Sequence, residues 1–536
     1  MIPDPGRRPD ATAPGTAPAR RRPPTGWLVG GVLLLLAVVG CALAGISPVA
    51  PLFLAGLGVV AVRQVPALVY VLIVLNAPLG LWMTGVQGLV GDAFGGREYV
   101  LSVSAVAVVG VLFGRTALLG RWTRTRLLTG AAVLLVVAVW SLIGVAHHGA
   151  AQTLVGVRLT LVPLLLLVVL AALTRPQVRT VLTALSWLLV ANAVAAVGEL
   201  AVGPARLVRW GFEEDRAVRY IGDTFRVPGL TEFNGELGIL AGAYLLGYVT
   251  LWLTRRARRA PWSWHAGGFA AVACLALSTS RSGALLVVAG VLAAVLLDRS
   301  GGAAGRRRAR LVGLGVVVCV AVGFVAVGAT GARSLFERFD VWAGLLGGGL
   351  PLWGLGIGGV GAATTSRVTA GPQVFVDNYF VSVGLQYGLW AMIVLVAGIG
   401  YGLVRLRRRT AAHPASVLHV AVLAGLAASF LVIEAWEYPG AMMCLAAFVA
   451  YGLRLDDPPS PAPWPAAWPV AWLAPAPAGA PTVHTAPDAP APSADAPADA
   501  TPDAPVPAST PDAPSADAAP TVHPAPDAPD ADARRA

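Results

Sequence analysis

Residues 127–146 read LLTGAAVLLVVAVWSLIGVA, an apolar stretch without one charged side chain. A helix needs about 20 such residues to cross the hydrocarbon core of a bilayer, so this stretch predicts a membrane-spanning helix. Similar stretches recur along the chain, which is 56% hydrophobic and 12% charged and has a mean hydropathy of +0.70. This composition excludes a soluble enzyme and predicts a multi-pass membrane protein.

Other stretches of suitable length and composition bring the predicted number of spans to about 14. They lie near 27–46, 49–62, 65–85, 99–114, 158–174, 180–202, 234–254, 265–280, 283–297, 311–330, 378–404, 415–434 and 438–453. The stretch at 49–62 is short and is flanked by two prolines, so it is the weakest of these predictions. The expected fold class is an all-α polytopic membrane protein with about 14 transmembrane helices.

The arginine clusters predict the orientation of these spans, because short cytoplasmic loops collect positive charge. In a fourteen-span arrangement they all fall on one side: Arg63, Arg115 to Arg126, Arg175 and Arg179, Arg255 to Arg259, Arg306 to Arg310, and Arg405 to Arg409. Both termini are then cytoplasmic in a cell-membrane protein. Two long loops, 203–233 and 331–377, and the short turn at residues 280–282 fall on the outer face.

The two ends of the chain differ in composition from the apolar body. Residues 1–26 are basic and rich in proline, and residues 454–536 are rich in proline, alanine and aspartate. Neither segment has enough apolar surface to offset the entropy cost of ordering, so we predict a disordered N-terminal tail and a disordered cytoplasmic tail. The transmembrane domain is then residues 27–453.

No cofactor is indicated by the sequence. The four cysteines all lie in apolar stretches, with no CxxC motif and no pairing with histidine at zinc spacing. The net charge of +11 is explained by cytoplasmic anchoring arginines, so nucleic acid is not an expected partner, whereas membrane lipid is. The segment from Gly354 to Gly359 matches GxGxxG, but no strand precedes it and it lies on the outer side. We therefore reject a dinucleotide site and expect a tightly turned loop packed against helices.

Titratable side chains gather at the predicted outer ends of the spans. They are Arg158, Glu199, Arg226, Glu232, Glu236, Arg281, Arg338, Arg367 and Asp377. Arginines on the outer face run against the positive-inside trend, which favours an anionic partner there. Each charge taken singly has a plainer interpretation, a helix-end side chain that pairs with a neighbour.

Several of these residues lie in motifs that resemble the O-antigen ligase and polymerase family of bacterial envelope glycan enzymes. The similar elements, in order, are Arg226-Val-Pro-Gly229 with Asn234, Leu277-Ser-Thr-Ser-Arg281-Ser-Gly283, Arg338-Phe-Asp-Val-Trp342, Pro351-Leu-Trp-Gly-Leu-Gly356-Ile-Gly358, and Asp377-Asn-Tyr379. The resemblance covers about residues 180–405. One departure is that Asp377 stands where the family has histidine.

The resemblance implies a membrane glycosyltransferase that moves a polyprenyl-pyrophosphate-linked saccharide onto a hydroxyl of a glycan, lipid or protein acceptor at the outer face. Arginine suits such a donor, because its guanidinium binds phosphate through paired hydrogen bonds and stays charged. We expect Arg281 and Arg338 to act catalytically on the pyrophosphate, without a metal ion. Asp377 is the expected base for the acceptor proton.

The expected substrate-binding residues are Arg226, Glu232, Asn234, Asn378 and Tyr379, with Glu232 and Glu236 as fallback bases. Two other functions stay open. A transporter or flippase of lipid-linked glycans predicts charged or broken helices at mid-membrane, which the sequence lacks. A non-catalytic scaffold descended from the enzyme is favoured by the missing histidine.

The predicted orientation can be tested with reporter fusions. Fusions after Arg259, Arg310 and Arg409 should report a cytoplasmic position, and fusions near Arg216 and Thr364 an external one, because positive charge is retained inside. A cytoplasmic reading at Thr364 would separate the predicted site from an outer-face substrate and would contradict the functional prediction.

Overall fold

The structure, a computed structural model, describes residues 63–76, 99–119, 123–210, 218–221, 224–254, 260–298, 349–364 and 376–455, with isolated residues and short stretches between 212 and 347. The predicted disordered segments, apart from Arg454 and Leu455, lie outside the described residues, as do the first two predicted spans and most of 311–330.

The described residues are mostly helical. The helices are α1 (Gln64–Asn76), α2 (Tyr99–Leu119), α3 (Arg124–His148), α4 (Ala150–Ala171), α5 (Arg175–Val202), α6 (Pro204–Arg209), α7 (Asn234–Leu253), α8 (Trp262–Ser278), α9 (Arg281–Leu297), α10 (Tyr379–Tyr387), α11 (Leu389–Arg409), α12 (Ser416–Ser429) and α13 (Pro439–Leu453). Two 3₁₀ turns, Gly361–Ala363 and Ala435–Glu437, lie between them.

Five described helices are long and apolar enough to cross a membrane: Leu127–His148 within α3, Ala150–Ala171, Arg175–Val202, Asn234–Leu253 and Leu389–Arg409. This confirms membrane-spanning character and a multi-pass chain. Five shorter apolar helices of 10–17 residues lie at other predicted spans. The count of 14 and the side on which the termini lie stay predictions.

The predicted single span at 378–404 is wrong, because the chain there forms two helices. The short helix α10 ends at Tyr387, and α11 begins at Leu389. Gly388 between them has a φ of 102°, a left-handed conformation that glycine adopts without strain and that ends a helix. Both sides of this break are apolar, so hydropathy alone could not reveal it.

The all-α prediction also needs one correction, in the loop predicted at 203–233. A two-stranded antiparallel ribbon joins β1 (Arg219–Ile221) to β2 (Thr224–Arg226), with Arg219 opposite Arg226. The strands are only three residues long each. No period-two pattern is readable over so short a stretch, which is why the ribbon was missed.

Helix α7 is the centre of the bundle and packs against α8, α9, α12 and α13. Small residues allow its close approach to α9: a Cβ on Gly242 would lie 2.5 Å from the carbonyl oxygen of Gly283. Close crossings at small residues are the usual way in which membrane helices gain van der Waals contact. Helix α11 is the opposite case, since none of its residues is buried.

The two ends of the bundle differ in their charges. At one end, the Arg454 guanidinium donates to the carbonyl oxygens of Ala171 and Leu173 at 3.0 and 3.1 Å. The Thr410 hydroxyl, after the arginines that end α11, donates to Leu297. The opposite end carries the turn at Arg281 and the residues around Asp377. This separation agrees with the predicted arginine-rich face.

Alanine at Gly242 should destabilise the bundle by about 1–3 kcal/mol, because the added methyl group has no space between α7 and α9. Gly198→Ala in α5 is the matched control, since nothing lies within 4 Å of its added Cβ. The measurement is the unfolding temperature of each purified variant in detergent. Equal unfolding temperatures for the two variants would contradict the close crossing.

Candidate functional site

The segment from Arg226 to Asn234 is hydrogen-bonded to the turn between α8 and α9. Arg226 Nε donates to the Thr279 hydroxyl at 2.9 Å, and its Nη2 lies 3.5 Å from the Thr279 carbonyl oxygen. The Val227 amide donates to Leu277 at 3.4 Å, and the Asn234 side chain donates to the Ser278 carbonyl oxygen at 3.2 Å. Two predicted substrate-binding residues therefore hold the turn that carries Arg281.

Two side chains of α5 also form hydrogen bonds to the segment from Arg226 to Asn234. The Glu199 carboxylate accepts from the Gly229 amide at 2.8 Å, and Asn192 Oδ1 accepts from the Leu230 amide at 3.0 Å. Both side chains are buried. Glu199, which the sequence placed among the outer charges, is thus committed to shaping the backbone of this loop.

Asp377, Asn378 and Tyr379 form the start of α10. Asp377 has a φ of 49°, which is uncommon for a residue other than glycine, and its side chain is half-buried. Asn378 Oδ1 accepts from the amides of Phe380 and Val381 at 3.0 and 3.2 Å, so it is the N-cap of the helix. The Tyr379 ring packs on Phe430 at a centroid distance of 4.5 Å. Asn378 and the Tyr379 ring therefore have structural roles here, and their predicted contacts with a substrate stay predictions.

A pair of buried carboxyl groups, Glu434 and Glu437, lies beside this segment. The two side chains are 6% and 7% exposed, on the connection between α12 and α13. The Ala362 amide donates to Glu437 Oε2 at 2.7 Å. A Cβ on Gly361 would lie 2.7 Å from Glu437 Oε2 and 2.8 Å from both carboxylate oxygens of Glu434, so the two carboxyl groups converge on Gly361.

Sequence reasoning missed this pair, although a signal was present. The segment Glu434-Ala-Trp-Glu437 interrupts two apolar stretches with two acidic residues three positions apart. The predicted spans 415–434 and 438–453 absorbed Glu434 as a terminal residue. Ionisable side chains at such a position are functional candidates, because burying them is costly.

The environment of the pair opposes the charged form of each group. Burial raises the pKa of Glu437 to about 7, although the hydrogen bond from the Ala362 amide favours its carboxylate. Burial, followed by the charges of Glu437 and Asp377, raises the pKa of Glu434 well above its ordinary value. At neutral pH the pair therefore holds at least one proton, and its titration belongs to both groups together.

Tyr438 connects the pair with the start of α7. Burial raises its pKa far above the ordinary value, and four surrounding carboxyl groups add to this effect: Asp377, Glu434, Glu437 and Glu236. We call these four residues the acidic cluster. The Tyr438 ring lies 5.7 Å from the Phe233 ring, and the Arg219 guanidinium lies 5.7 Å from the same Phe233 ring. The segment fastened by Arg226 thus ends beside the acidic cluster.

The predicted site residue Glu232 lies next to this cluster, since its amide donates to Glu236 Oε2 at 3.1 Å. Arg158 is near Glu236, and within the described part of the chain its buried Nε has no hydrogen-bond partner. Arg158 was expected at the start of a span. It lies eight residues inside α4, which is about 12 Å along a helix.

The glycine-rich segment Gly354 to Gly359 is a tight loop packed against helices, as the sequence predicted. Gly354, Gly356 and Gly358 have φ values of 73°, 91° and 96°. Gln152 of α4 donates to the Gly358 carbonyl oxygen at 2.7 Å, and His148 Nε2 lies 3.0 Å from the Leu355 carbonyl oxygen. This loop leads directly to Gly361 and so positions the backbone against which the carboxyl pair lies.

Arg338, one of the predicted catalytic arginines, lies outside the described residues. Trp342 of the same motif is described, and its indole N–H donates to the Val376 carbonyl oxygen next to Asp377. It packs against Val360, Val381 and Leu385. The described part of the loop predicted at 331–377 therefore contacts the segment that carries Asp377.

Three groups of predicted residues come together at one end of the bundle: Arg226 with Asn234 at the turn before Arg281, Glu232 beside Glu236, and Asp377 beside Glu434. In the described part of the chain, no group of three or more His, Cys, Asp or Glu side chains is arranged to hold a metal ion.

Comparison with family profiles, curated proteins and solved structures gives no match.

Alanine at Gly361 should disrupt the carboxyl pair, because its methyl group would overlap three carboxylate oxygens. The matched control is Gly349→Ala, which has a similar φ of 77° against 79° but nothing within 4 Å of the added Cβ. We expect Gly361→Ala to lose about 1–3 kcal/mol more stability than the control. The measurement is the detergent unfolding temperature.

A second change makes the test specific. Adding Glu434→Ala to Gly361→Ala vacates two of the three overlapping oxygen positions and should recover part of the lost stability. If the double variant is as unstable as the sum of the single variants, the two positions do not interact.

Proposed function

We propose that the protein is a membrane glycan-transfer enzyme of the O-antigen ligase and polymerase type. It moves a polyprenyl-pyrophosphate-linked saccharide to an acceptor hydroxyl at the outer face of the cytoplasmic membrane. The observation that carries the proposal is that Arg281, Asp377 and the carboxyl pair lie at the same end of the bundle, opposite the arginine-rich end. Those groups come from separate stretches of the chain.

The cationic part of this end suits the donor. Pyrophosphate is already a good leaving group, so the protein has mainly to bind it and stabilise the charge that it carries away. Arg281 begins α9, directly after the turn held by Arg226. Bidentate hydrogen bonds from such guanidinium groups would orient the pyrophosphate near the membrane surface, where the polyprenyl chain lies. Arg338 is proposed for the same role.

The anionic part suits the acceptor. Attack on the anomeric carbon requires a base for the hydroxyl proton. The environment of Glu434 and Glu437 favours proton uptake near neutral pH, and Asp377 beside them is the residue that the sequence predicts as the base. Aromatic rings beside the cluster, including those of Phe233 and Tyr438, offer flat apolar surfaces of the kind on which sugar rings pack.

A chromosomal deletion tests the reaction class. The envelope polysaccharide and the pooled lipid-linked precursors are both sized in the deletion strain and in the complemented strain. Loss of long chains with single lipid-linked units retained identifies a polymerase, whereas accumulation of finished lipid-linked chains identifies a ligase. Unchanged polysaccharide and unchanged precursors would contradict the proposal and favour a non-catalytic scaffold.

One set of observations favours the transporter as a second candidate. The sequence argued against it because polar or broken helices at mid-membrane were not apparent, yet Arg158 lies inside α4 and the chain breaks at Gly388. Buried carboxyl pairs also occur in proton relays. A transporter predicts that the deletion strain keeps its lipid-linked glycan on the cytoplasmic leaflet, out of reach of an external glycosidase.

Substitution of Arg281 tests the proposed pyrophosphate contact. Arg281→Ala should reduce turnover by roughly 10²- to 10³-fold, as for the loss of one charge-stabilising donor. Arg281→Lys should not restore it, because an ammonium group keeps the charge but loses the fork. The measurement is transfer from a lipid-linked donor at equal membrane abundance.

Arg408→Ala is the matched control. This residue is exposed at the arginine-rich end of α11, where a screened charge contributes roughly 0–1 kcal/mol. Its transfer rate should equal that of the wild type. Full activity of Arg281→Ala would remove this residue from the mechanism.

A further inference from the structure

The carboxyl pair has one feature that its internal contacts do not explain. Glu434 Oε1 is buried and has no hydrogen-bond partner among the described residues. Leaving a buried acceptor unsatisfied is costly, so such an atom in a native protein usually meets a donor that binds there. A carboxylate oxygen accepts a hydrogen bond from an O–H or N–H group.

The position of this atom narrows the choice of ligand. Glu437 Oε2 is already used by the Ala362 amide, and the two carboxyl groups converge on Gly361, where no side chain separates them. A cation with several protein ligands is not favoured, since no metal-holding group of three acidic, cysteine or histidine side chains occurs in the described ranges. A neutral hydroxyl group satisfies the orphaned oxygen without adding charge.

We propose, as a refinement that rests on the function proposed above, that Glu434 and Glu437 together take the proton of the acceptor hydroxyl, which binds at Glu434 Oε1. The pair, and not Asp377, is then the base of the transfer reaction. The ligand class is a hydroxyl of a carbohydrate acceptor.

The transfer step breaks two bonds and forms two. The acceptor O–H bond breaks, and its proton joins the pair, which goes from one held proton to two. The acceptor oxygen forms a bond to the anomeric carbon, while the bond from that carbon to the phosphate oxygen breaks. The electron pair of the broken bond leaves with the polyprenyl pyrophosphate, which the arginines bind.

Several charged and titratable groups face the pair from the elements packed around it. They are Asp377 before α10, Tyr379 and Tyr387 of α10, Tyr438 before α13, Glu236 of α7 and, through Glu236, Arg158 of α4. The charge of Asp377 raises the pKa of Glu434. Asp377 therefore regulates the proton affinity of the pair.

The sign of the pH dependence follows from the requirement that the base carry a negative charge. Activity should be present above the pKa of about 7 that burial gives Glu437, and should be lost as the pH falls through that value. In the wild type the rate should fall by about tenfold for each pH unit below it.

The experiment measures transfer by the full-length protein against pH, using a purified lipid-linked saccharide and a carbohydrate acceptor. Glu437→Gln and Glu434→Gln should each lower the rate by roughly 10²- to 10⁴-fold at neutral pH. In Asp377→Asn, the acid limb of the pH–rate profile should move to lower pH, because a negative charge next to the pair is removed. Asp298→Asn, at the opposite end of α9, is the control and should match the wild type.

A second measurement does not depend on transfer. Infrared spectra of the same proteins should show an absorption of protonated carboxylic acid at neutral pH, and Glu434→Gln should remove part of it while Asp298→Asn should not. Absence of that difference overturns the proposal even if the variants are inactive through misfolding.

The outcomes separate the two levels of inference. Wild-type protein that transfers, with both pair variants still active and Asp377→Asn inactive, restores Asp377 as the base and overturns only the refinement. Wild-type protein that transfers from no lipid-linked donor overturns the proposed function, and the role of the pair in it as well.

Discussion

The candidate site depends on the close approach of the Gly361–Ala362 backbone to the carboxyl groups of Glu434 and Glu437. Buried carboxylates are costly unless they are hydrogen-bonded or neutralised, and here one backbone amide and at least one retained proton do this. A side chain at position 361 would prevent the contact. The glycine-rich loop, the start of α10 and the connection before α13 are all positioned around this approach.

The rest of the bundle holds these segments at one end. Helix α7 provides a buried axis, and its first turn carries Asn234 and Glu236 to the site. The segment before it is fastened to the α8–α9 turn through Arg226 and to α5 through Glu199. Arg226 and Asn234, which the sequence offered as ligands for a substrate, therefore also hold the backbone at this end of the bundle.

Hydropathy predicted the positions of most described helices, because this signal is summed over about twenty residues at a time. The helix break at Gly388 and the ribbon at Arg219 to Arg226 could not be predicted in this way. Each depends on only a few residues, and the hydropathy of the neighbouring residues does not change there. The candidate site was predicted in part. Asp377 and Arg281 were found from motifs, whereas the pair at Glu434 and Glu437 matched no motif and was recognisable only after the chain had brought Gly361 beside it.

The central claim is that this end of the protein breaks the bond between a saccharide and polyprenyl pyrophosphate. The most direct measurement uses the purified protein in proteoliposomes, with a lipid-linked saccharide and an acceptor, and counts the polyprenyl pyrophosphate released and the glycan transferred. The account predicts equal amounts of both, and amounts roughly 10²- to 10³-fold lower in Arg281→Ala vesicles. Movement of intact lipid-linked saccharide between leaflets, with no pyrophosphate released, would contradict it.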